Sequence, residues 1–119
     1  MFKMIVILRK KKGMSKEEFH RHWKEQHGPL FKKFPQIQSY TQYHVSDKCR
    51  DDTDPPIDGI AILEFRSKEE QAEAWKMLEY DDVREDEQRF LQFDGTGIHV
   101  VHVDEETPII SKAPEIVPE

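Results

Sequence analysis

Cysteine is almost absent from this 119-residue sequence, which contains only Cys49. A single cysteine cannot build an internal disulfide framework. No apolar run approaches the roughly 18 residues that a membrane-spanning helix needs. The opening stretch, MFKMIVILRK, is too short for a secretory signal and lacks a small-residue cleavage site. We therefore predict a cytoplasmic protein with no membrane partner.

An excess of positive charge is also missing. The chain has 18 basic and 24 acidic residues, which gives a formal net charge of −6. A protein that binds nucleic acid irrespective of sequence needs a basic face to neutralise phosphates. The basic run at residues 9–12 is short and falls at a predicted strand-to-helix connection, where a solvated loop is the favoured interpretation. We expect no nucleic-acid partner.

Motifs for metal or phosphate chemistry are lacking as well. The chain has six histidines, but His20 and His22 are two residues apart on a predicted helix and diverge. His99 and His102 are three apart on a predicted strand and point to opposite faces. The sequence has no HxxxH pattern, no Gly-rich phosphate loop and no GxSxG elbow. We therefore predict no metal site.

Alternation of apolar residues predicts four strands. Residues 2–9 and 59–65 are apolar on both alternating faces, which is typical of central strands. Residues 98–103 form a last strand after a GTG turn. Residues 37–45 alternate without an oily face, which indicates an edge strand or the lining of a wet cavity. One side of that strand carries Gln38, Tyr40, Gln42 and His44, and the other Ile37, Ser39, Thr41, Tyr43 and Val45.

Two Ser-x-x-Glu patterns mark predicted helix starts. Ser15 with Glu18, and Ser67 with Glu70, have the spacing of a capping box. The helix after the second pattern places Trp75 on its buried face. Residues 81–93 are expected to form a further, shorter helix.

A histidine lies on the apolar stripe of the first helix. His27 continues the spacing of Phe19, Trp23, Leu30 and Phe34 and so lies in line with buried residues. Pro29 removes a backbone N–H and clashes with the carbonyl four residues back, while Gly28 adds backbone freedom. We predict that the helix ends or kinks near His27 and restarts at Pro29.

The elements follow the order β-α-β-β-α-(α)-β. This order matches the ferredoxin-like α+β fold, in which two crossover helices cover one face of a four-stranded antiparallel sheet. The central strands are apolar on both faces, and the chain offers nothing to cover the second face. We therefore predict a homodimer. Residues 1–104 form the predicted domain, and residues 105–119, with three prolines, an extended arm that is either disordered or laid on the partner subunit.

Three stretches are similar to the EthD family of dimeric α/β-barrel proteins. They are GMSKEEFHRHWKEQHGPL, FPQIQSY and DGIAILEF, with Trp75 in the following helix. The resemblance implies a ferredoxin-like domain that dimerises through its sheets into a dimeric α/β barrel, and chemistry without a metal or organic cofactor. Family members include methylmuconolactone methylisomerases and fungal decarboxylases or dehydratases that act on phenolic and polyketide-derived rings.

The resemblance also implies roles for His27 and Tyr40, which match the histidine of the HGP motif and the tyrosine of the second strand. A histidine, with a pKa of ~6.5, suits a general base, and a tyrosine, at ~10, can donate a hydrogen bond to a developing oxyanion. We predict these two catalytic roles. The structural alternatives are a buried His27 that bonds a backbone carbonyl and fixes the bend, and a Tyr40 that only packs.

Three further residues are predicted to bind the substrate. His44 shares the strand face of Tyr40 and lies about 13 Å along it, where it could contact the far end of a ring-sized ligand. Trp23 and Trp75 suit the apolar walls of a pocket. The alternatives are a surface histidine on an edge strand and two ordinary core tryptophans.

The sequence thus predicts a small cofactor-independent isomerase, decarboxylase or dehydratase acting on a cyclic carbonyl or phenolic compound. The alternative is a non-catalytic accessory protein of a degradation pathway that binds a hydrophobic or aromatic small molecule. The name-giving EthD protein, which accompanies an ether-degrading monooxygenase system, resembles this second class. Haem ligation also occurs on dimeric α/β barrels and is a third, weaker alternative.

Overall fold

A four-stranded antiparallel sheet organises the computed structural model, which describes residues 1–112. The strands are β1 (Phe2–Leu8), β2 (Ile37–His44), β3 (Gly59–Phe65) and β4 (Ile98–Val103). Their spatial order is β2-β3-β1-β4, so the two strands that are apolar on both faces are central and β2 is an edge strand. This is the ferredoxin-like α+β fold, and the prediction is confirmed.

Three α-helices accompany the sheet: α1 (Lys16–His22), α2 (Lys68–Trp75) and α3 (Glu79–Phe90). The capping box at Ser15 is complete, while Ser67 accepts the Glu70 N–H without the reciprocal bond. The prediction that the third helix is short is wrong. With 12 residues it is longer than the eight-residue α2, because α2 ends at Trp75 and a turn starts the next helix at once.

The core lies between the helices and one face of the sheet. That face contributes Met4, Leu8, Ala61, Leu63 and Phe65, and the helical layer covers it with Phe19, Trp23, Phe34, Ala74, Val83, Phe90 and Leu91. The opposite face carries side chains that are only partly buried, among them Ile5, Ile7, Ile60 and Ile62, next to the half-exposed Tyr43 and Val101. Within residues 1–112, the chain therefore covers only one side of its sheet.

The helix that begins with α1 changes its hydrogen-bond pattern around the HGP motif. After His22 the chain forms a π-helical turn, Trp23–His27, and then a 3₁₀ segment, Gly28–Lys33. The predicted interruption is present, but the backbone stays helical, with φ −52° at Gly28. Because Pro29 has no N–H for the carbonyl four residues back, the α-helical hydrogen-bond pattern cannot continue there.

A bulge at the start of β2 alters the predicted alternation. Ile37 pairs with Phe65 and Ser39 with Glu64, which leaves Gln38 without a partner. An extra residue of this kind shifts the alternation by one position. Ile37 and Tyr40, predicted on opposite faces, therefore both pack against the helix-side core.

The chain after β4 is exposed as far as residue 112. Lys3 Nζ forms an ion pair with the Glu106 carboxylate at 3.1 Å, which is a contact between this stretch and β1. The rest of the predicted arm, residues 113–119, lies outside the described residues, and the domain boundary after residue 104 stays a prediction. Within residues 1–112, no helix is long and apolar enough to cross a membrane. The cytoplasmic location stays a prediction as well.

Gly59 supplies the first testable prediction, because the Trp23 ring lies directly over it. A methyl group at this position would lie 2.6 Å from Trp23 Cζ3. We expect Gly59→Ala to lower the free energy of unfolding by about 1–3 kcal/mol, the usual cost of overpacking, measured by urea denaturation. In a Trp23→Leu background most of this penalty should disappear. An equal penalty in both backgrounds would contradict the ring contact as its cause.

Candidate functional site

A cavity of about 660 Å³ opens between β2 and the irregular helical segment, and we call it the β2 cavity. The helical side contributes Lys24, Gly28, Pro29, Phe31, Lys32 and Phe34, and the strand side contributes residues 37–42 and His44. The predicted wet lining and the predicted edge strand are therefore both present on β2.

Tyr40 lies in the wall of this cavity. Its ring stacks on Phe31, with the centroids 4.7 Å apart, and its hydroxyl oxygen accepts a hydrogen bond from Gln42 Nε2 at 3.2 Å. Burial raises the pKa of Tyr40, so the hydroxyl stays protonated at neutral pH. With the oxygen occupied as an acceptor, the hydroxyl proton remains to be donated.

Gln42 connects Tyr40 to the helix and to a histidine. Its Nε2 donates to the Trp23 carbonyl at 2.9 Å, and its Oε1 faces His44 Nε2 at 3.1 Å. Because a carbonyl can only accept, the nitrogen of the amide must face Trp23. The amide oxygen therefore accepts the His44 Nε2–H, which fixes the tautomer of that histidine.

His44 forms a pair with His20. The two Nδ1 atoms are 2.7 Å apart, so one must donate and the other accept. Because His44 carries its proton on Nε2, the His20 Nδ1–H donates to His44. Partial burial lowers the pKa of His44, and the neighbouring His20 and Lys24 lower it further, which favours a neutral imidazole. His44 is exposed on the edge strand and also lines the cavity. It therefore occupies both of the positions that were predicted as alternatives.

Gly28 of the HGP motif allows the helix and β2 to approach closely. A Cβ at this position would lie 2.7 Å from Gln42 Nε2. The Gly28 N–H donates to the Trp23 carbonyl, the same oxygen that accepts from Gln42. The predicted reason for the glycine, backbone freedom, is wrong, because its φ is ordinary. Space for the Gln42 amide is the physical reason.

His27 is buried on the other side of this segment. It is 5% exposed, and its Nδ1 lies 2.8 Å from Asp86 Oδ2. Its ring contacts Phe90 and Phe31, with centroid distances of 4.7 and 5.4 Å. The partner is thus a carboxylate from α3, where the structural alternative expected a backbone carbonyl. His27 is not among the residues that line the β2 cavity.

The Asp86 carboxylate that bonds His27 also bonds two further side chains. It bonds His22 Nε2 at 3.0 Å and the Arg89 guanidinium at 3.2 Å. Burial alone would raise the pKa of Asp86, but hydrogen bonds from His22 and His27 outweigh it and hold the pKa below its ordinary value. Burial lowers the pKa of His27 in spite of Asp86. A neutral His27 then donates Nδ1–H to the carboxylate and keeps its lone pair on Nε2.

Sequence reasoning missed Asp86, which stands in a run of charged residues. One signal was present: Asp86 is three residues after Val83 and four before Phe90, and so shares the buried face of α3.

The predicted site residues fall into two groups. Tyr40 and His44 line the β2 cavity, whereas His27, Trp23 and Trp75 do not. Trp23 is 1% exposed, and Trp75 stacks on Tyr80 on the core side. The Phe31 ring contacts both His27 and Tyr40. The catalytic and substrate-binding roles of these residues stay predictions. Among residues 1–112, no group of three or more His, Cys, Asp or Glu side chains is placed to hold a metal ion.

Most of the chain matches a known family of proteins. The model of the EthD domain matches residues 11–94, which include the HGP motif, all of β2 and Asp86. The chain belongs to the EthD family. None of the curated proteins matches this EthD-family sequence closely enough to count as a relative.

Solved structures share the fold of this EthD-family chain at low sequence identity. An EthD family protein from Bacillus halodurans is 17% identical with a TM-score of 0.71, covering 89% of this chain and 99% of its own. A dimeric protein with a ferredoxin-like fold from Bacteroides fragilis gives 13% and 0.62, with 86% and 93% covered. A putative antibiotic biosynthesis monooxygenase from Nitrosomonas europaea gives 13% and 0.60, with 88% and 98% covered. Membership of the EthD family indicates a small-molecule-binding or enzymatic protein, and these neighbours share its fold.

The contact between Gly28 and Gln42 gives a second prediction. Gly28→Ala should displace the Gln42 amide and lower the free energy of unfolding by about 1 kcal/mol through the lost hydrogen bond to Trp23. In a Gln42→Ala background the penalty should shrink to that of the remaining contact, a Cβ 3.2 Å from the Trp23 carbonyl oxygen. Chemical denaturation of the four proteins measures the coupling. Additive effects would contradict the close approach.

Proposed function

We propose that this EthD-family protein is a cofactor-independent enzyme that moves a proton on a cyclic carbonyl or phenolic compound bound in the β2 cavity. The reaction class is that of an isomerase, decarboxylase or dehydratase. The observation that carries the proposal is the Tyr40 hydroxyl, whose oxygen accepts from Gln42 so that its proton is free to bond a ligand oxygen. A phenol in this position stabilises an oxyanion as it forms.

His27 is the proposed general base. Asp86 accepts from its Nδ1, which leaves Nε2 as the basic nitrogen, and the lowered pKa keeps the imidazole neutral and able to accept a proton. Its chain neighbour Gly28 lines the cavity, and so does Phe31, which packs against the imidazole. The proposal requires the Phe31 ring to leave its stack on Tyr40 when the ligand enters, because that ring stands against both catalytic side chains.

The chemistry that these two groups support is enolisation. His27 Nε2 removes a proton from the carbon beside a carbonyl, the electron pair moves to the carbonyl oxygen, and Tyr40 donates its hydrogen bond to that oxyanion. Return of the proton to a different carbon completes an isomerisation. No electron acceptor or donor is required.

Hydrogen–deuterium exchange tests this function without knowledge of the natural substrate. We expect the protein to accelerate exchange at the carbon beside the carbonyl in a panel of lactones and cyclic ketones in D₂O, followed by NMR. His27→Asn should reduce the rate by about 10²–10⁴-fold, and Tyr40→Phe by up to about 10³-fold. Tyr43→Phe, three residues further along β2 on the other face, is the matched control and should leave the rate unchanged.

Two results would contradict parts of this proposal. If His44→Asn abolished exchange while His27→Asn kept full activity, the general base would be His44, which lines the cavity, and not His27. Saturable binding that persists in His27→Asn and Tyr40→Phe, with no exchange in the natural protein, would favour the second candidate, a binding protein without turnover. The enclosed position of His27 is the observation that favours this candidate.

We further propose that a second copy of the chain covers the open face of the sheet and closes a dimeric α/β barrel. The face is apolar at its centre, with Ile5, Ile7, Ile60 and Ile62 on the two middle strands. Leaving this area in water costs free energy in proportion to its size. A structural neighbour described as dimeric, with a ferredoxin-like fold, supports the same assembly.

Ile62→Lys tests the assembly, because Ile62 pairs with Ile5 on one side and Thr41 on the other and so lies centrally on the open face. We expect the natural chain to have twice its mass of 14.2 kDa in sedimentation, and the variant to be a monomer because a buried lysine would lack a partner. Leu78→Lys, at an 83% exposed position on the helical layer, is the control and should stay dimeric. A dimeric Ile62→Lys protein would contradict the proposed interface.

A further inference from the structure

Two histidines that lie far apart in the sequence meet beside the β2 cavity. His20 comes from α1 and His44 from the end of β2, and their Nδ1 atoms lie 2.7 Å apart. The sequence predicted no metal site, because the histidines within one element are not spaced to share an ion. This pair joins two elements and is separated by 24 residues. Imidazole nitrogens are common ligands of zinc, nickel and copper. The pair therefore supplies two such nitrogens at one point of the surface.

Packing orients both rings. The His44 ring lies against that of Trp23, with the centroids 4.7 Å apart, and its Nε2–H donates to Gln42 Oε1 at 3.1 Å. The His20 ring contacts the buried Phe19 edge-on, with a centroid distance of 5.2 Å. Metal-binding histidines almost always donate their second ring N–H to a carboxylate, a carbonyl or water, which fixes the ring and leaves the other nitrogen as the ligand. Gln42 already makes this contact with His44.

The surroundings offer room for an ion without attracting cations in general. A cavity of about 330 Å³ is lined by both histidines together with Arg21, Lys24 and Glu25. Glu25 favours a cation, whereas Arg21 and Lys24 oppose one. Burial lowers the pKa of His44, and His20 and Lys24 lower it further, so its imidazole is neutral and can bind a metal near neutral pH. Affinity must therefore come from the two nitrogens and not from net charge.

We propose that His20 and His44 bind a divalent transition metal ion, which joins α1 to the edge strand β2. Zn²⁺ coordinated by the two Nδ1 atoms leaves two positions of its tetrahedron for water. The inference is independent of the proposed function, since neither His27 nor Tyr40 contributes a ligand. It assigns a role to an exposed contact that the proposed chemistry does not use.

Binding requires a small movement and the transfer of one proton. Two nitrogens at about 2.0–2.1 Å from a tetrahedral zinc ion lie about 3.3 Å apart. The two hydrogen-bonded Nδ1 atoms are 2.7 Å apart, so the rings must separate slightly. The Nδ1 proton of His20 gives way to the metal, and exchange with water returns it to Nε2 of the same ring. His44 keeps its Nε2–H on Gln42, and no oxidant or reductant takes part.

Calorimetric titration of the tag-free protein with metal chlorides tests the site. We expect saturable binding of one Zn²⁺ per chain, with Cu²⁺ bound more tightly than Zn²⁺ or Ni²⁺. Mg²⁺ and Ca²⁺ carry the same charge but prefer oxygen ligands, so they should not compete with Zn²⁺. Because protons compete for the imidazole nitrogens, the Zn²⁺ affinity should fall as the pH is lowered from neutral to about 5.

Single variants identify the ligands. Loss of the group that orients a metal ligand typically weakens binding by about 10–100-fold, and loss of the ligand itself should cost at least as much. We expect His20→Asn and His44→Asn each to lose at least about ten-fold in Zn²⁺ affinity, and Gln42→Leu to lose about ten-fold. His102→Asn is the matched control, because His102 is an exposed histidine on β4, outside the pair. It should bind Zn²⁺ as the natural protein does.

Two further measurements distinguish a metal that joins α1 to β2 from loose surface binding. In ¹⁵N NMR of the histidine rings, Zn²⁺ should shift Nδ1 of both His20 and His44, while Nε2 of His44 remains protonated. Zn²⁺ should also raise the melting temperature of the natural protein and of His102→Asn, because a ligand that binds only the folded state stabilises it. It should leave the melting temperatures of His20→Asn and His44→Asn unchanged.

Several outcomes would overturn the inference. These are no saturable binding of Zn²⁺, equal binding of Mg²⁺, an unchanged Zn²⁺ affinity in His20→Asn or His44→Asn, and coordination through Nε2 of His44. Melting curves recorded without metal show whether each variant is folded. Loss of Zn²⁺ binding in folded His20→Asn and folded His44→Asn, with binding kept in His102→Asn, would support the site whether or not the protein catalyses proton exchange.

Discussion

The Trp23 carbonyl oxygen accepts the two hydrogen bonds on which the candidate site depends. One comes from the Gly28 N–H and closes the π-helical turn, and the other comes from the Gln42 amide of β2. A carbonyl oxygen has two lone pairs, so both donors can be satisfied at once. The second bond joins the irregular helix to the edge strand and fixes the orientation of the amide. That orientation in turn sets the tautomer of His44 and leaves the Tyr40 proton free for a ligand.

The same helical segment has a second polar anchor on its other side. There the carboxylate of Asp86 accepts from His27 and His22, while apolar rings surround the imidazole of His27. This explains why an apolar stripe carries a histidine: its partner is a buried carboxylate on α3, and the pair satisfies both groups in the core. The π turn is therefore held between an amide and a carboxylate from opposite directions, and π turns are often found at functional sites.

The sequence sufficed to predict those features that depend on local pattern. The central strands follow from apolar residues on both faces, the start of α1 from its capping box, and the EthD family from the HGP motif. Features that depend on contacts between distant segments were not predictable in this way. Asp86 meets His27 across 59 positions of sequence, and only the packing of α3 on the first helix brings them together. The reason for Gly28 likewise lies in Gln42, on another element.

One strand serves both the cavity and the open face of the sheet, and its bulge makes this arrangement possible. After the bulge, Tyr40, Gln42 and His44 face the helices while Thr41 and Tyr43 face the other way. A strand that alternated without interruption from Ile37 would turn either Ile37 or Tyr40 to the open face, since side chains change sides at every residue. The unpaired Gln38 lets Ile37 anchor the strand in the core and still brings Tyr40 into the cavity. Because Gln38 is present, the bulge is a requirement of the site: regular pairing from Ile37 onward would turn both Tyr40 and Gln42 to the open face, away from Phe31 and the cavity.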